Sequence, residues 1–584
     1  MRTLAIKTRY HPEAPPLFRK AGGVWRKEAR VWEVPIPAAP SLAETLKDLG
    51  LEEAQKAGEE AQAALEAARE AVESAPLATE EQRRDALLAF AAFLSAFEGG
   101  PKGFLLANGT GTGKTYVYGA FVRGANALGE RPVVVVPNED LARQTREVLE
   151  ALGAEAELTT YGRLDPDEAR GRVLVLDEAH LAKRGFRSDR GARTWKAVRR
   201  AAFALFSTAT PFDRPWESEY LLVPTGALER WGYEDFASYM REFKVYTREG
   251  FGGGLEYYFA GGPEDLLRFH ESLRERGFMT RRLFRPPEGM VEHEVPLLSL
   301  PAEERELLGL VRRRLKEAAL GAPPEKRGLV MAQRTMLSRA LLERFKLKAA
   351  FPLVESLLEE GWHVALFLQY RGEKELDLSS PEALARYLDE AEERGLKELH
   401  RFVAHALKGL SLRLPSPLEM VEARFGRLGD ALAFYTGREG TGALRRAKER
   451  WGAGEVRLLV ATAGKGGTGL SLHDTRGDRP TAQIVLTLPW TGSQLDQILG
   501  RVVRVGLASK VRILLPAAKV PVERHLAAVV AGSLRTLGYA VRGGELPVPE
   551  RVVKAFLTDY AAVDEEGFLR LLSPDLEEVQ TVEK

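Results

Sequence analysis

Short apolar runs, each closing on a polar or glycine-rich turn, recur in two stretches of the chain. In the first stretch, Phe104-Leu105-Leu106-Ala107 reads as a buried strand and Tyr116–Ala127 as the helix that follows it. "PVVVVPNEDLARQ" is a strand whose loop enters a helix. Arg172–Leu176 is an apolar strand ending in Asp177-Glu178-Ala179-His180, and Ala201–Phe206 is another, ending in Ser207-Thr208-Ala209-Thr210. In the second stretch, "HVALFLQYRG" and "VRLLVATAGKGGTGLSLHD" show the same form. Strands that are apolar throughout, alternating with helical segments, predict parallel sheets covered on both faces, an α/β fold.

The remaining segments read differently. At the N-terminus "TLAIKTRY" alternates like a strand, "HPEAPPLFRKAG" is a short helix entered through proline, and "GVWRKEARVWEVPI" reads as two short strands about a tight turn. Together they predict a small α+β module over residues 1–40. Residues 41–76 are Ala/Glu-rich with helical spacing and predict a helical spacer, with Ser41 and Glu44 as a capping box. Residues 77–215 and 346–520 carry the α/β stretches, the latter with a helical insertion over 371–430. Residues 216–345 predict a helical insertion with a glycine-rich hairpin at Arg248–Gly262, and 521–584 a helical appendage.

Composition narrows the classes. At 584 residues the chain exceeds a single core. The net charge of +1 rules out a global polyanion-binding field, so any nucleic-acid surface must be local. The absence of cysteine excludes disulfides, thiolate metal sites and thiol nucleophiles, and suits a reducing, cytoplasmic setting. No apolar run approaches ~18 residues and no apolar signal core opens the chain, so neither a membrane span nor secretion is expected.

The loop Gly109-Thr110-Gly111-Thr112-Gly113-Lys114-Thr115 has the form of a phosphate cradle. Backbone N–H groups and a helix N-terminus would face the phosphates, Lys114 would reach the β and γ positions, and Thr115 would ligate Mg²⁺. Asn108 stands where the motif usually has its first glycine; the plain alternative is a flexible turn. Asp177 would hold Mg²⁺ and Glu178 would orient and deprotonate the attacking water. Ser207, Thr208 and Thr210, with His180, sit where small polar groups can sense the γ-phosphate side. A GTP switch would share the loop, but no guanine-reading NKxD-type motif is evident.

GKT, DEAH and SAT in this order resemble the first motor domain of a superfamily two helicase. "QLDQILGRVVRVG" is similar to the arginine motif of the second. The resemblance is nearest to the strawberry notch-like group. It is carried by "GFLLANGTGTGKT", "VLVLDEAH", "TAGKGGTGLSLHD" and "IVLTLPWTGSQLDQILGRVVR", and it covers roughly residues 77–520. The N-terminal module resembles the HARP-type modules of annealing helicases.

The resemblance implies two RecA-like lobes with ATP in the cleft between them. It implies Gln82 as adenine reader, Gly469 at the nucleotide, and Gln497, Arg501 and Arg504 as the second lobe's catalytic set. Both arginines are expected on one face of a helix, one turn apart. Pro137, Thr160, Gln369, Thr462 and Gly464 are implied as nucleic-acid contacts. Trp25, Arg26, Lys27 and Trp32 in the module, and Tyr257 and Tyr258 in the hairpin, combine aromatic faces with basic neighbours suited to polynucleotide. For both aromatic sets the alternative is ordinary structure: packed tryptophans, and a surface turn. The expected activity is ATP hydrolysis, with Mg²⁺, driving movement on DNA as single strand, duplex or fork. RNA, or a non-unwinding motor subunit of a restriction or defence complex, are the alternatives. The chain names no protein partner.

Overall fold

The computed structural model describes every residue except 250–253, 370–374, 392–395, 464–469, 519 and 558–584. The chain divides into two compact units. The first comprises Met1–Tyr246, Ala260–Phe284 and Tyr539–Gly544; the second takes the remainder.

The first unit begins with strands β1 (Thr3–Ile6), β2 (Val24–Arg26) and β3 (Val31–Pro35), an antiparallel sheet in the order β1-β3-β2. Helix α1 (Ala14–Lys20) lies between β1 and β2 in sequence and starts on prolines, whose missing N–H is no loss in a first turn. Helices α2 (Ala39–Asp48) and α3 (Gln55–Glu73) follow. The capping box expected at Ser41 is not formed. Pro40 fits the first turn, so α2 opens at Ala39 with Ser41 already inside it, and the Ser41 hydroxyl donates to Glu98 Oε1 at 2.6 Å. The Ala/Glu-rich stretch is also more than a spacer. Ala61, Ala68 and Val72 of α3 are fully buried in the same apolar cluster as the main sheet.

The main sheet of this unit is built from β4 (Gly103–Leu106), β5 (Val133–Val136), β6 (Glu157–Thr160), β7 (Val173–Asp177) and β8 (Phe203–Ser207). Helices α4 (Glu80–Ser95), α5 (Lys114–Ala127), α6 (Glu139–Ala151) and α7 (Asp189–Arg200) alternate with them. A two-stranded sheet, β9 (Val245–Glu249) and β10 (Leu255–Phe259), comes next in the chain, and then β11 (Met279–Thr280) returns to the main sheet. Its order is β11-β4-β8-β7-β5-β6, with every pair parallel. All residues of β4, β5, β7 and β8 are buried, which is why their sequences do not alternate. Each Val, Leu or Phe so enclosed contributes about 1.5–3 kcal/mol of transfer free energy. α3 approaches α5 at Gly124, where a Cβ would lie 2.4 Å from Val72 Cγ2.

The second unit contains β12 (Val291–Glu294), β13 (His363–Leu368), a short antiparallel pair β14 (Leu376–Asp377) and β15 (Arg413–Leu414), then β16 (Leu432–Tyr435), β17 (Leu458–Thr462), β18 (Thr481–Val485) and β19 (Val511–Leu514). Its sheet runs β12-β19-β18-β13-β17-β16, again all parallel. The helix Pro324–Glu359 packs Leu347, Ala350, Val354 and Leu357 against this sheet's core. Both units are α/β layers built on a six-stranded, all-parallel sheet. In the first, β8 stands between the strand that feeds the glycine loop and the strand that ends in acids. Periodicity does not announce β11 or β12. Each is too short to show a pattern, and only parallel pairing at a sheet edge makes it a strand.

Candidate functional site

In a parallel sheet all carboxyl ends lie at one edge, so connectivity alone collects the loops after β4, β7 and β8 there. The loop after β4 is Ala107–Gly113. Gly111 (φ 72°) and Gly113 (φ 77°) adopt left-handed backbone that a side chain would strain, and Gly113 caps α5. Lys114 Nζ donates to the Gly109 carbonyl at 3.2 Å, and Thr112 Oγ1 donates to the same oxygen at 2.8 Å. Thr110 and Thr115 are half-buried on this turn. Gln82, on α4, donates through Nε2 to the Thr112 carbonyl (3.3 Å) and accepts from the Ala78 amide (3.0 Å). A Cβ on Gly113 would lie 2.4 Å from that Nε2, so Gln82 closes directly on the loop.

At the end of β7, Asp177 is buried. Burial, and after it the Glu178 charge, push its carboxyl up to about 7, while the Lys114 ammonium draws it down. Two buried tyrosines hold this residue. Tyr118 of α5 donates to Asp177 Oδ2 (3.1 Å) and Tyr161 to the Asp177 carbonyl (2.7 Å). Burial, then the Asp177 charge, raise both phenols well above the ordinary tyrosine range, so they stay protonated donors. Glu178 sits at φ 50°, ψ 49°, left-handed backbone for a residue with a Cβ. Strain of this kind costs about 1–3 kcal/mol and collects at functional sites. The bend re-aims the chain so that Glu178 Oε2 comes 3.3 Å from His180 Nδ1. That nitrogen also lies 2.9 Å from Thr208 Oγ1, and burial drives the imidazole down to about 4, so it is neutral near pH 7. Thr208 Oγ1 in turn accepts from the Thr210 amide at 3.2 Å, and Ser207, Thr208 and Thr210 are fully buried. Lys183, paired with Asp213, extends the polar chain beyond them.

Mg²⁺ fits this donor set. A buried aspartate beside a second carboxylate gains from a divalent cation, and Mg²⁺ takes one or two protein ligands together with phosphate oxygens. Thr115 and Asp177 are the groups that would hold it. Pro137 and Thr160 follow or end β5 and β6, at the same sheet edge but on the far side of β7.

In the second unit Thr462 ends β17 opposite Leu368 of β13, with Gln369 next in the chain. The Gln369 amide donates to Glu343 Oε2 at 2.8 Å. Gly464 and Gly469 lie outside the described residues. Gln497 is half-buried on the helix Gly492–Leu499. The arginines depart from expectation. The helix ends at Leu499 with Gly500 as its cap, so Arg501 and Arg504 lie in the following turn and loop rather than on a helical face. Arg501 is buried, with Nη1 toward the Leu470 carbonyl at 3.5 Å. Arg504 is half-buried, and its charge, after burial, depresses His473 to about 4.

The N-terminal aromatics split between the two readings. Trp32 stacks flat on buried Phe18 (4.9 Å, 5°), as packing requires. Trp25 faces it across the hairpin at 5.4 Å and is 46% exposed. With Tyr10 and His11 these rings line a groove of about 620 Å³, with Arg9 and Arg19 at its sides. Arg26 pairs with Glu33, and Lys27 is exposed in the turn. Tyr257 and Tyr258 are half-buried on β10, with the Arg248 guanidinium 5.4 Å over the Tyr258 ring.

Sequence reasoning did not find Tyr118, Tyr161, Asp85 or Arg282. Asp85, on α4, accepts from Asn108 Nδ2 (2.7 Å) and from Arg282 Nε (2.9 Å), and Arg282 Nη2 donates to the Thr112 carbonyl (3.2 Å). Asn108, in the usual glycine position, therefore has a structural partner. No local signal marks this set, because Asp85 and Arg282 are far apart in the chain and meet only through the β11–β4 pairing.

Residues 79–170, from α4 through the loop after β6, match the family model described as "Type III restriction enzyme, res subunit". No curated protein matches the chain. Among solved structures, the Sulfolobus solfataricus SWI2/SNF2 ATPase core in complex with dsDNA aligns at 14% identity and a TM-score of 0.29, covering 82% of this chain and 97% of that one. What the family comparison marks is therefore the segment 79–170, which contains the glycine loop and Lys114, as similar to restriction-enzyme res subunits.

Proposed function

We propose that the chain is an ATP-driven nucleic-acid motor of the superfamily two helicase and translocase type. The carrying observation is the first unit's sheet edge. There Lys114 and the glycine loop stand one strand away from Asp177 and Glu178, whose acid Lys114 already stabilises electrostatically. On this reading Lys114 and the loop amides hold the phosphates, and Gln82 lies where a base would meet the cradle. Mg²⁺, when bound, screens phosphate charge. Glu178 orients and deprotonates water, and the neutral His180–Thr208 contact relays the state of that carboxylate toward Thr210 and Ser207. Arg501, Arg504 and Gln497 of the second unit supply charge and polar contacts for the transferring phosphoryl; guanidiniums in such roles contribute several orders of magnitude in rate.

DNA is the favoured track. The exposed Trp25 and the groove it lines together with Arg9 and Arg19 support a polynucleotide surface on the N-terminal module. Pro137, Thr160, Gln369, Thr462 and Gly464 are the proposed backbone contacts of the two units, with Tyr257 and Tyr258 as stacking faces. A likeness to the strawberry notch-like group, with a HARP-like module, is the finer form of this reading.

The test is the ATPase rate against single-stranded, duplex and forked DNA and RNA at stated salt. DNA-stimulated turnover should vanish in Lys114→Ala and Glu178→Gln, with Lys114→Ala also losing nucleotide binding. Stimulation by RNA alone would overturn the substrate. The match of residues 79–170 favours a second reading, a motor subunit of a restriction system. DNA-dependent ATPase without strand displacement by the isolated chain would support that reading.

A further inference from the structure

We propose that Arg282, acting with Asp85 and Asn108, is the positioning residue of the nucleotide site, and that it makes the phosphate loop and the strap Phe278–Leu283 one mechanical element. The proposal rests on the reading of the glycine loop as a nucleotide site and extends it to how that site is coupled to the rest of the chain.

The strap runs parallel to β4 and does not stop where β4 stops. The amides of Leu105, Ala107 and Gly109 donate in turn to the carbonyls of Phe278 (2.7 Å), Thr280 (2.9 Å) and Arg282 (2.7 Å). The third rung is already inside the loop. A Cβ on Gly109 would lie 3.1 Å from Leu283 Cδ2, so the contact is close on both sides.

The Arg282 side chain closes a second bridge. Its Nε meets Asp85 Oδ2 at 2.9 Å, and its Nη2 meets the Thr112 carbonyl at 3.2 Å, at the other end of the loop. Asp85 is buried and also accepts from Asn108 Nδ2 (2.7 Å) and Thr280 Oγ1 (3.4 Å). A glycine at position 108 would leave that carboxylate one donor short. The strap therefore grips the loop directly at Gly109 and Thr112, and at Asn108 through Asp85 of α4, which the strap's Arg282 and Thr280 also meet. Just past Arg282 the chain passes from the first unit to the second, at Phe284–Arg285. A ligand that tightens the loop must tighten the strap, and by linkage a load on the strap must change the loop's affinity for that ligand.

The test uses the full chain, with a non-hydrolysable ATP analogue for binding and ATP plus DNA for turnover. Arg282→Gln should raise the analogue's Kd and the KM for ATP by about tenfold, the loss of a half-buried charge-assisted bridge from Asp85 to the Thr112 carbonyl. It should also lower DNA stimulation of kcat, a readout that loss of packing alone would not single out. Arg282→Lys can keep the Asp85 pair but cannot span to Thr112, so it should fall between. Asp85→Asn combined with Arg282→Gln should cost less than the sum of the two, because both remove the same bridge.

If Asp85→Asn fails to fold, amide exchange in the wild-type chain decides. The analogue should slow exchange across 278–283 together with 105–113, and unchanged exchange in the strap overturns the coupling. If Lys114→Ala binds the analogue as wild type does, the nucleotide reading falls and takes the brace with it. If Lys114→Ala loses binding while Arg282→Gln keeps wild-type KM and stimulation, the brace alone falls.

Discussion

The Tyr161 hydroxyl donates to the main-chain carbonyl of Asp177 across 2.7 Å, with both residues buried. Tyr161 directly follows Thr160, the last residue of β6, so a segment proposed to touch nucleic acid is hydrogen-bonded to the acid that ends β7. Tyr161→Phe removes the donor and leaves a buried carbonyl unsatisfied. Stability should fall by about 1–2 kcal/mol. Nucleic-acid stimulation of the ATPase should fall more than the unstimulated rate. Denaturant melts and paired rate measurements check both, and an equal drop in the two rates would reduce Tyr161 to a packing role.

Glu178 holds left-handed backbone at φ 50°. Glycine adopts that conformation without penalty, so Glu178→Gly should stabilise the first unit, or at least not destabilise it, by up to about 1 kcal/mol. The same variant should lose hydrolysis while retaining binding of an ATP analogue. A chain that melts well below wild type would show that the side chain, rather than the strain, dominates this position.

Asp474, which follows β17 in the second unit, gives a pH dependence with a definite sign. Burial alone would raise its carboxyl. Hydrogen bonds from Ser509 and from the Arg476 and Arg479 amides outweigh burial and hold it down at about 2, against 3.8 ordinarily. The folded state thus binds its proton less readily than the unfolded state does. Its contribution, about 2 kcal/mol, is present above pH 4 and is lost as pH falls toward 2. Asp474→Asn should lower the second unit's stability at pH 7 by that amount. The gap between variant and wild type should close on acidification, which a pH series of denaturant melts reads out.

The two N-terminal tryptophans should separate. Trp32 lies flat on buried Phe18, so Trp32→Ala should cost about 3 kcal/mol of module stability. Trp25 is nearly half exposed on the groove. Trp25→Ala should leave the fold intact and weaken single-strand binding by about 1–3 kcal/mol, the usual worth of one stacked base. Fluorescence anisotropy on labelled DNA measures this, and unaltered affinity would return Trp25 to an ordinary surface residue.

How much could be read along the chain depends on the range of the interaction. The glycine loop, the helix it enters and the acid-ending strand are each built within a few residues, and they stand where the pattern placed them. The Ser41 cap failed because Pro40 opened the helix earlier, a competition between neighbours that composition alone does not resolve. The pair Arg501 and Arg504 kept its place in the chain but lost its helical register, because Gly500 ends the helix first. Asp85, Arg282, Tyr118 and Tyr161 were not legible. Their partners are remote in sequence, and a single aspartate or tyrosine carries no mark of what will be folded against it.

By itself the order of residues determined the local chemistry: a lysine after a glycine turn, two acids after an apolar strand, and strands too apolar to face water on either side. Those properties follow from backbone sterics and from side-chain hydrophobicity, both of which act over a few positions. Tertiary structure alone decided that β11 would zip onto β4, that Asn108 would meet Asp85, and that Tyr161 would hold Asp177. These contacts depend on parallel strands brought together by long crossovers, and the free energy of such pairing is shared among residues that no short window of sequence contains.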